Sequence, residues 1–150
     1  MTITIHSHKP NAPEINQDLL FLAIRKTLEA QGKIDVDVTL MLTDDIEMRQ
    51  LNQTYRDFDQ TTDVLAFNQN YIDPETGQYY LGDIIVSVDS AQRQALENDQ
   101  TLLDELMLLA IHGTLHLLGF DHADSQQKDV MWEVQEKILR NSKQNFQEEL

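Results

Sequence analysis

The sequence predicts a single α+β domain, a mixed α/β arrangement with about four strands in one mixed sheet and about five helices. Short stretches in which apolar and polar residues alternate are interleaved with longer stretches of helical periodicity. A chain of 150 residues with 41% hydrophobic content has the size and composition of one domain around one core. The chain has no repeat, low-complexity tract or linker, so residues 1–150 are predicted to form one unit.

The first part of the chain contains two predicted strands and two predicted helices. Thr and Ile alternate within 1–7, and Val and Leu alternate with other residues through 36–42, as in strands. Between them, apolar residues recur at helical spacing through 19–28, with Pro13 at a helix start and Gly32 closing the segment. Acidic residues at 44, 45 and 47 suit the cap and first turn of a helix that runs to about Tyr55.

The middle of the chain contains two more predicted strands and a short helix. Residues 63–67 form a short apolar strand, and residues 68–78, which hold Pro74 and Gly77, are predicted to be a loop or hairpin tip. Residues 81–88 form a strand interrupted by Gly82 and Asp83. We expect 81–84 to be an edge strand that lines a cleft, with Asp83 fixing a turn. Residues 89–98 form a short helix.

Two helices complete the chain. Residues 102–118 are the most apolar segment, so this helix is predicted to run through the core and to hold its side chains rigidly. Asp124 or Ser125 caps the last helix, and Trp132 is expected to pack beside its buried stripe. That stripe consists of Val130, Met131, Val134, Ile138 and Leu139. From Asn141 the chain is polar, and residues 141–150 are predicted to be a frayed tail.

Three histidines near the end of the apolar helix have the spacing of a metal site. His112 and His116 are four residues apart, so they share one helix face and reach one cation. Gly119 can end the helix in a left-handed turn, which would bring His122 back toward the same point. Three imidazoles with a fourth position left open are typical of a catalytic zinc site. His6 and His8 have no such pattern and are predicted to be surface or strand-end residues.

Composition restricts the other classes of function. The formal net charge of −15 argues against broad nucleic-acid binding by charge alone, which draws on clustered Lys and Arg. The absence of cysteine removes disulfides and thiolate ligands, so a metal must use histidine and oxygen atoms. The sequence has no membrane-length apolar run and no signal-peptide pattern at its N-terminus, which predicts a cytoplasmic location.

Other polar residues are candidates for chemistry but have simpler explanations. Arg56 ends a predicted helix, where it could clamp a phosphate or only cap the helix or pair with an acid. Asp63 could hydrogen-bond backbone or orient a ligand histidine. Tyr55 and Phe67 are predicted to be core residues rather than platforms on which bases stack.

The histidine spacing is the same as in the long zinc motif of the metzincin proteases, so the helix is metzincin-like. Those proteases have a glutamate after the first histidine as general base, whereas this chain has Gly113 there. Glycine cannot move a proton, which argues against peptide hydrolysis by that route.

The run from His112 to His122 also resembles the hallmark of the YbeY family of bacterial rRNA maturation factors. The runs 51–56, 62–65 and 81–84 resemble other common blocks of that family, in the same order, and the resemblance covers about residues 36–140. The family often has Pro where Thr61 stands and Ser where Ala66 stands. Both are packing or turn positions in our interpretation, so these departures leave the site unaffected.

The resemblance implies a zinc-dependent, single-strand-specific endoribonuclease that acts in small-subunit rRNA 3′-end maturation and ribosome quality control. It implies that His112, His116 and His122 bind one Zn²⁺ ion. It also implies that Arg56 matches the family's functionally important arginine, which favours catalysis over capping, and we place His112 with it as catalytic. The partners would be single-stranded RNA and the ribosome or ribosome-associated proteins, with no membrane and no nucleotide cofactor.

Two other classes of function stay open at the level of sequence. One is a ribosome-assembly factor whose fold a metal stabilises without catalysis, and the other is a metallohydrolase of another substrate. For a nuclease, Asp121 and Asp63 are candidates to move the proton. Asp121 could equally cap the turn after Gly119 or orient a histidine, which we favour. The nucleophile, water or the ribose 2′-hydroxyl, is not fixed by the sequence.

Overall fold

A four-stranded mixed sheet with helices on both faces organises the protein in a computed structural model. The structure describes residues 1–8, 14–57 and 62–149, with side chains as far as Gln144. In these ranges the elements are β1 (Ile3–Ser7), α1 (Gln17–Ala30), β2 (Val36–Thr43), α2 (Asp45–Arg56), β3 (Val64–Ile72), β4 (Tyr79–Ser87), α3 (Val88–Glu97), α4 (Leu102–Leu117) and α5 (Ser125–Glu149). The predicted α+β class, with four strands and five helices, is confirmed.

The strand order of the sheet is β1-β2-β4-β3. β1 pairs with β2 and β2 with β4 in parallel, whereas β3 pairs with β4 in the antiparallel direction. β3 is therefore an edge strand, and β4 lies inside the sheet. This corrects the prediction that residues 81–84 form an edge. Asp83 lies within β4 rather than at a turn, and its carboxylate accepts hydrogen bonds from the side chains of Tyr80 and Gln69.

The two faces of the sheet are covered unequally, because alternate residues of each strand point to opposite sides. One face packs under α1, α3, α4 and α5 and contains the main core, with Val38, Leu40 and Ile84 from the sheet. The other face carries α2 and a small core of Met48, Leu65 and Ile85. Among the described residues, α2 covers only part of this second face, and a groove lined by Met41, Phe67 and Ile85 lies beside it.

The helix α4 lies against the sheet more closely than an ordinary side chain allows. Gly113 faces β4, and a Cβ atom added there would lie 2.5 Å from Cγ2 of Ile84. The neighbouring side chains of α4, including Leu106, Ala110, Ile111 and Leu115, are at most 1% exposed. The predicted passage of this helix through the core is confirmed, and its close packing sets the distance between the histidines and the sheet.

The β3–β4 hairpin is longer than the sequence predicted. β3 continues past Phe67 to Ile72, and the tip is limited to 73–78, where the Gly77 N–H donates to the Asp73 carbonyl over 2.8 Å. Residues 68–72 are exposed and mostly polar, so they lack the alternation that marks a half-buried strand. They pair with β4 around an irregularity between Asn68 and Tyr71.

The last helix also differs from its predicted limits and face. α5 continues to Glu149 through the segment predicted to fray, and Ser142 is fully buried while Lys143 forms a 2.8 Å ion pair with Asp104. Val130 and Trp132, expected in or beside the buried stripe, are 49% and 53% exposed. Met131, Ile138 and Leu139 of the predicted stripe are buried and Val134 is partly buried, so Val130 is the member of that stripe that faces solvent.

The start of α1 is set by Asn16, whose side chain accepts from the backbone N–H groups of Asp18 and Leu19. The predicted start at Pro13 and the predicted packing or turn role of Thr61 lie outside the described residues. His6 and His8 are exposed, as predicted. Within the described ranges, every helix is too short or too polar to cross a membrane.

Candidate functional site

The three histidines meet at one point beside α4. His112 and His116 lie on its last two turns, and their Nε2 atoms are 3.0 Å apart. The imidazole of His122 joins them, with ring centroids 5.7 Å from His112 and 5.1 Å from His116. One nitrogen from each ring lies within 4.8 Å of the other two. The structure therefore brings together the three residues that the spacing indicated.

A glycine-terminated helix end returns His122 to the other two rings. Gly119 has a φ of 99° and follows Leu118, the C-cap residue of α4. The Phe120 N–H donates to the Leu115 carbonyl and the Gly119 N–H to the His116 carbonyl, both over 3.0 Å. This hydrogen-bond pattern is the Schellman motif, which favours glycine at this position. The reversal that the sequence predicted at Gly119 is present.

Burial keeps the two helical histidines neutral. It lowers the pKa of His112, against a smaller opposing effect from its hydrogen bond to Gln135. Burial also lowers the pKa of His116, and the neighbouring rings of His112 and His122 lower it further. A neutral imidazole presents a lone pair on one nitrogen, which is the form that binds a metal ion.

Gln135 on α5 fixes the orientation of His112. Its Oε1 lies 2.6 Å from Nδ1 of His112, and the Gln135 side chain is only 2% exposed. An amide oxygen only accepts, so this contact places the proton of His112 on Nδ1 and the lone pair on Nε2, toward His116. The sequence alone did not predict a role for Gln135. The available signal was a polar side chain four residues after Met131 and three before Ile138, within an apolar stripe.

The geometry of the cluster fits one tetrahedral metal ion. Zinc–nitrogen bonds of about 2.0–2.1 Å place tetrahedral ligand nitrogens about 3.4 Å apart, near the 3.0 Å between His112 and His116. In the part of the chain that the structure describes, the cluster contains these three histidines and no carboxylate or thiolate. Three imidazole nitrogen donors with an open side suit a catalytic ion better than a closed structural site.

Arg56 lies in the same cleft as the histidines. It is the last residue of α2, and its Nη2 donates to the Ala66 carbonyl on β3 over 3.1 Å. Its guanidinium carbon lies 5.6 Å from the centre of the Phe67 ring. A cleft of about 620 Å³ is lined by Arg56, the three histidines, Asp63 and Asp121, among others. The structure thus places the arginine in the same cleft as the three histidines.

The two aspartates of the cleft have different surroundings. The Asp63 carboxylate accepts a 3.0 Å hydrogen bond from the Gln94 side chain, and its carbonyl accepts from the Ser87 N–H. Asp121 is exposed, and its Oδ1 accepts from the backbone N–H of His122 over 2.7 Å. Asp121 thus stabilises the turn that follows Gly119, the role we favoured from sequence.

The position after the first histidine lines the cleft but is packed tightly against the sheet. Gly113 packs on Ile84 and Val64, so a side chain there would enter the sheet rather than reach the histidines. A glutamate base on this turn would need α4 and β4 to separate. Packing therefore gives a physical reason why this helix carries glycine where a metzincin protease carries its base.

Tyr55 differs from its predicted core position. It is 66% exposed, and its ring meets that of Phe67 edge-on, with the centroids 5.5 Å apart. Phe67 is partly buried against the small core under α2. The hydrophobic character of a tyrosine at the end of a helix does not reveal whether another layer covers it.

Comparison with known proteins gives a consistent assignment. Residues 3–143 match the family model described as Endoribonuclease YbeY. A Heliobacterium modesticaldum protein named Endoribonuclease YbeY is 45% identical over 117 residues, which cover 71% of this chain and 70% of that protein. A Gloeobacter violaceus protein of the same name is 47% identical, over 75% of this chain and 60% of its own length. A solution structure from Thermotoga maritima has a TM-score of 0.66 at 28% identity, and the match covers 99% of this chain and 93% of that one.

Proposed function

The chain belongs to the YbeY family, and from that premise we propose that it is a zinc-dependent endoribonuclease specific for single-stranded RNA. The observation that carries this proposal is the meeting of three histidines and Arg56 in one open cleft. A metal ion held by the histidines and the guanidinium of Arg56 would both be positively charged, which suits the anionic phosphate of a phosphodiester. The family membership supplies the reaction class, and the cleft supplies the residues.

The metal site would consist of His112, His116 and His122. Histidine donors without cysteine suit zinc among the common biological ions, although other divalent ions also bind imidazole. When bound, the ion supplies positive charge that polarises a phosphodiester and activates a nucleophile. Gln135 keeps the lone pair of His112 directed at the ion.

Arg56 would stabilise the phosphate as negative charge builds up during cleavage. Its Nη2 is held by the Ala66 carbonyl, and its guanidinium packs over Phe67, so the group is ordered before substrate arrives. Donors that are fixed in advance lower the barrier without reorganising in the transition state. Guanidinium can also bind two phosphate oxygens at once, which lysine cannot do with the same geometry.

Asp121 is the carboxylate that we propose as proton acceptor. It is exposed at the rim of the cleft beside His122, and only its Oδ1 is used by the backbone of the turn. Asp63 also lines the cleft, but its carboxylate binds Gln94. Asp121 therefore combines its structural role in the turn with a second carboxylate oxygen, Oδ2, that the hydrogen bond to His122 does not use.

The biological substrate that we propose is the 3′ end of small-subunit rRNA, in maturation and quality control of cytoplasmic ribosomes. Family membership supports this substrate. The net charge of −15 suggests that the ribosome or an associated protein provides much of the affinity. Weak binding of free RNA with a shallow dependence on salt would agree with this, whereas tight binding with a steep salt slope would refute it.

The test of the nuclease is cleavage of a short single-stranded RNA by metal-loaded protein. His112→Ala and Arg56→Ala should both lose cleavage while their circular dichroism spectra stay native. Arg140→Ala, at an exposed position on α5 outside the cleft, is the matched control. Equal cutting by every variant would mean a contaminating nuclease. No cutting by the wild type would favour the non-catalytic assembly factor, and binding to ribosomal particles would then be measured.

The products identify the nucleophile. Attack by the ribose 2′-hydroxyl breaks the P–O5′ bond and leaves a 2′,3′-cyclic phosphate with a free 5′-hydroxyl. Attack by water forms a new P–O bond and breaks either the P–O3′ or the P–O5′ bond, which leaves a phosphomonoester on one product, a free hydroxyl on the other and no cyclic phosphate. End-group analysis by mass spectrometry separates the two, and elemental analysis of the purified protein reports which metal it carries.

A further inference from the structure

A second cavity adjoins the histidine cleft on the opposite face of the sheet. This groove has a volume of about 710 Å³ and lies where α2 leaves the sheet uncovered. Its floor is apolar and is formed by Met41, Leu51, Phe67 and Ile85. Arg56, Ala66 and Asn68 line both the groove and the cleft, so the two cavities meet across the edge strand β3.

An exposed aromatic ring stands at the wall of this groove. Tyr55 is 66% exposed, although it belongs to the helix that covers this face. The tyrosine ring contacts the Phe67 ring at an interplanar angle of 63°, and most of the tyrosine stays exposed to solvent. Phe67 in turn supports the Arg56 guanidinium at 5.6 Å. A continuous series of contacts thus runs from the groove to the cleft through Tyr55, Phe67 and Arg56.

The polar groups around the groove suit bases better than a chain of phosphates. His6 and His8 are exposed at one wall, and the Nδ1 atom of His8 lies 3.4 Å from Glu47. Gln69 offers an amide at the other wall, beside Asp83. The Asp83 carboxylate is already bound by Tyr80 and Gln69, which reduces its repulsion of an anionic ligand.

We propose that this groove binds the single-stranded RNA that flanks the cleaved bond, with a base stacked on Tyr55. The inference deepens the proposed function and rests on it. The RNA would pass over the edge strand β3, where Arg56 would contact its phosphate backbone. Its bases would then point into the groove. Base stacking on aromatic rings needs no positive surface, which accounts for RNA recognition by a chain of net charge −15.

The same contact explains selection of single strands. A base inside a duplex is stacked between its neighbours and cannot place its face on a protein ring. An unpaired base can do so without loss of pairing. Selectivity for unpaired RNA would therefore come from Tyr55, whereas the histidine cluster supplies the position of cleavage.

The experiment measures binding and cleavage separately. Fluorescence anisotropy with a labelled oligouridine of about twelve nucleotides gives the Kd in the presence of a chelator, which blocks metal-dependent cleavage. Steady-state cleavage of the same strand by metal-loaded protein gives kcat and KM. The variants are Tyr55→Ala, Tyr55→Phe and Trp132→Ala. Trp132 is the matched control, because it is 53% exposed on α5 and lies outside both cavities.

We expect Tyr55→Ala to weaken the Kd roughly 5- to 100-fold, the effect of losing one stacked base. The loss should fall on KM rather than kcat, and the salt slope should stay as in wild type because no phosphate contact is removed. Tyr55→Phe should retain the wild-type Kd, as should Trp132→Ala. An unchanged Kd in Tyr55→Ala would overturn the proposal, and so would equal losses in the alanine and phenylalanine variants.

The combined results separate this inference from the proposed nuclease. Cleavage by wild type with no effect of Tyr55→Ala rejects the groove and keeps the nuclease. Binding that depends on Tyr55 without any cleavage keeps the groove and rejects the nuclease. A wild type that neither binds nor cuts the strand rejects both.

Discussion

Replacing Gly113 by alanine tests whether contact with β4 sets the position of the histidine helix. The added Cβ would lie 2.5 Å from Cγ2 of Ile84, whereas carbon atoms in contact lie about 3.5–4.0 Å apart. One of the two elements must therefore move by about 1 Å. Overpacking of this kind costs about 1–3 kcal/mol, and the better helix propensity of alanine offsets about 1 kcal/mol. The expected net loss is about 1 kcal/mol.

The assay is thermal and urea unfolding of Gly113→Ala, measured with a chelator so that metal binding does not contribute. A loss of about 1 kcal/mol lowers the Tm of a chain of this size by about 3 °C. Ile84→Ala provides the matched background, because it removes the atoms that the new methyl group would meet. Ile84→Ala alone should cost about 2–5 kcal/mol.

In that background the new methyl group enters vacated space, so Gly113→Ala should become stabilising. The coupling energy between the two sites should be about 1–2 kcal/mol and favourable. An identical effect of Gly113→Ala in both backgrounds would refute the packing argument. A Gly113→Ala protein more stable than wild type would show that helix propensity outweighs the contact.

Three other substitutions test separate parts of the structure. Gln135→Leu should weaken zinc binding about 10- to 100-fold in a competition titration, because His112 loses the acceptor that fixes its proton; an unchanged affinity would remove Gln135 from the site. Glu105 is buried with one unpartnered oxygen, and burial, helped by the charges of Asp63 and Asp104, raises its pKa. A raised folded-state pKa costs stability as the pH rises above about 4, the unfolded value, so Glu105→Gln should raise the Tm at pH 7 but not at pH 3.5; equal shifts at both pH values would contradict this. Gly82→Ala should reduce the soluble yield sharply, because its Cβ would clash with the Phe67 carbonyl in the adjacent strand; wild-type yield and stability would show that the hairpin accommodates the methyl group.

The sequence predicted best what is determined by neighbouring residues. Four-residue spacing places His112 and His116 on one face of any helix, and Gly119 allows the turn that returns His122. Alternation identified β1 and β2 for the same reason. The exposed extension of β3 from Asn68 to Ile72 lacks alternation. Pairing with β4 holds it extended, and neither face of it is buried.

What the sequence did not predict depends on contacts between distant segments. Gln135 reaches His112 only because α4 and α5 pack together, and no local pattern records that contact. The exposure of Tyr55 depends on how the helices of the described ranges pack on one sheet face, which the sequence around Tyr55 does not record. The position of β4 inside the sheet was not predicted for the same reason, since strand order follows from the path of the chain between strands. Neither strand order nor the contacts made by another helix can be read from one segment alone.

The three histidines lie close together in the sequence, and this affects both folding and the assessment of purified protein. All three lie within the short segment from His112 to His122, so an incompletely folded chain retains them close together. Metal binding to unfolded chains reduces the stabilisation that the metal gives the native state. Arg56 and Gln135, in contrast, join the histidines only after long-range contacts form. A full complement of metal therefore does not measure the fraction of native protein, whereas the turnover rate per metal ion does.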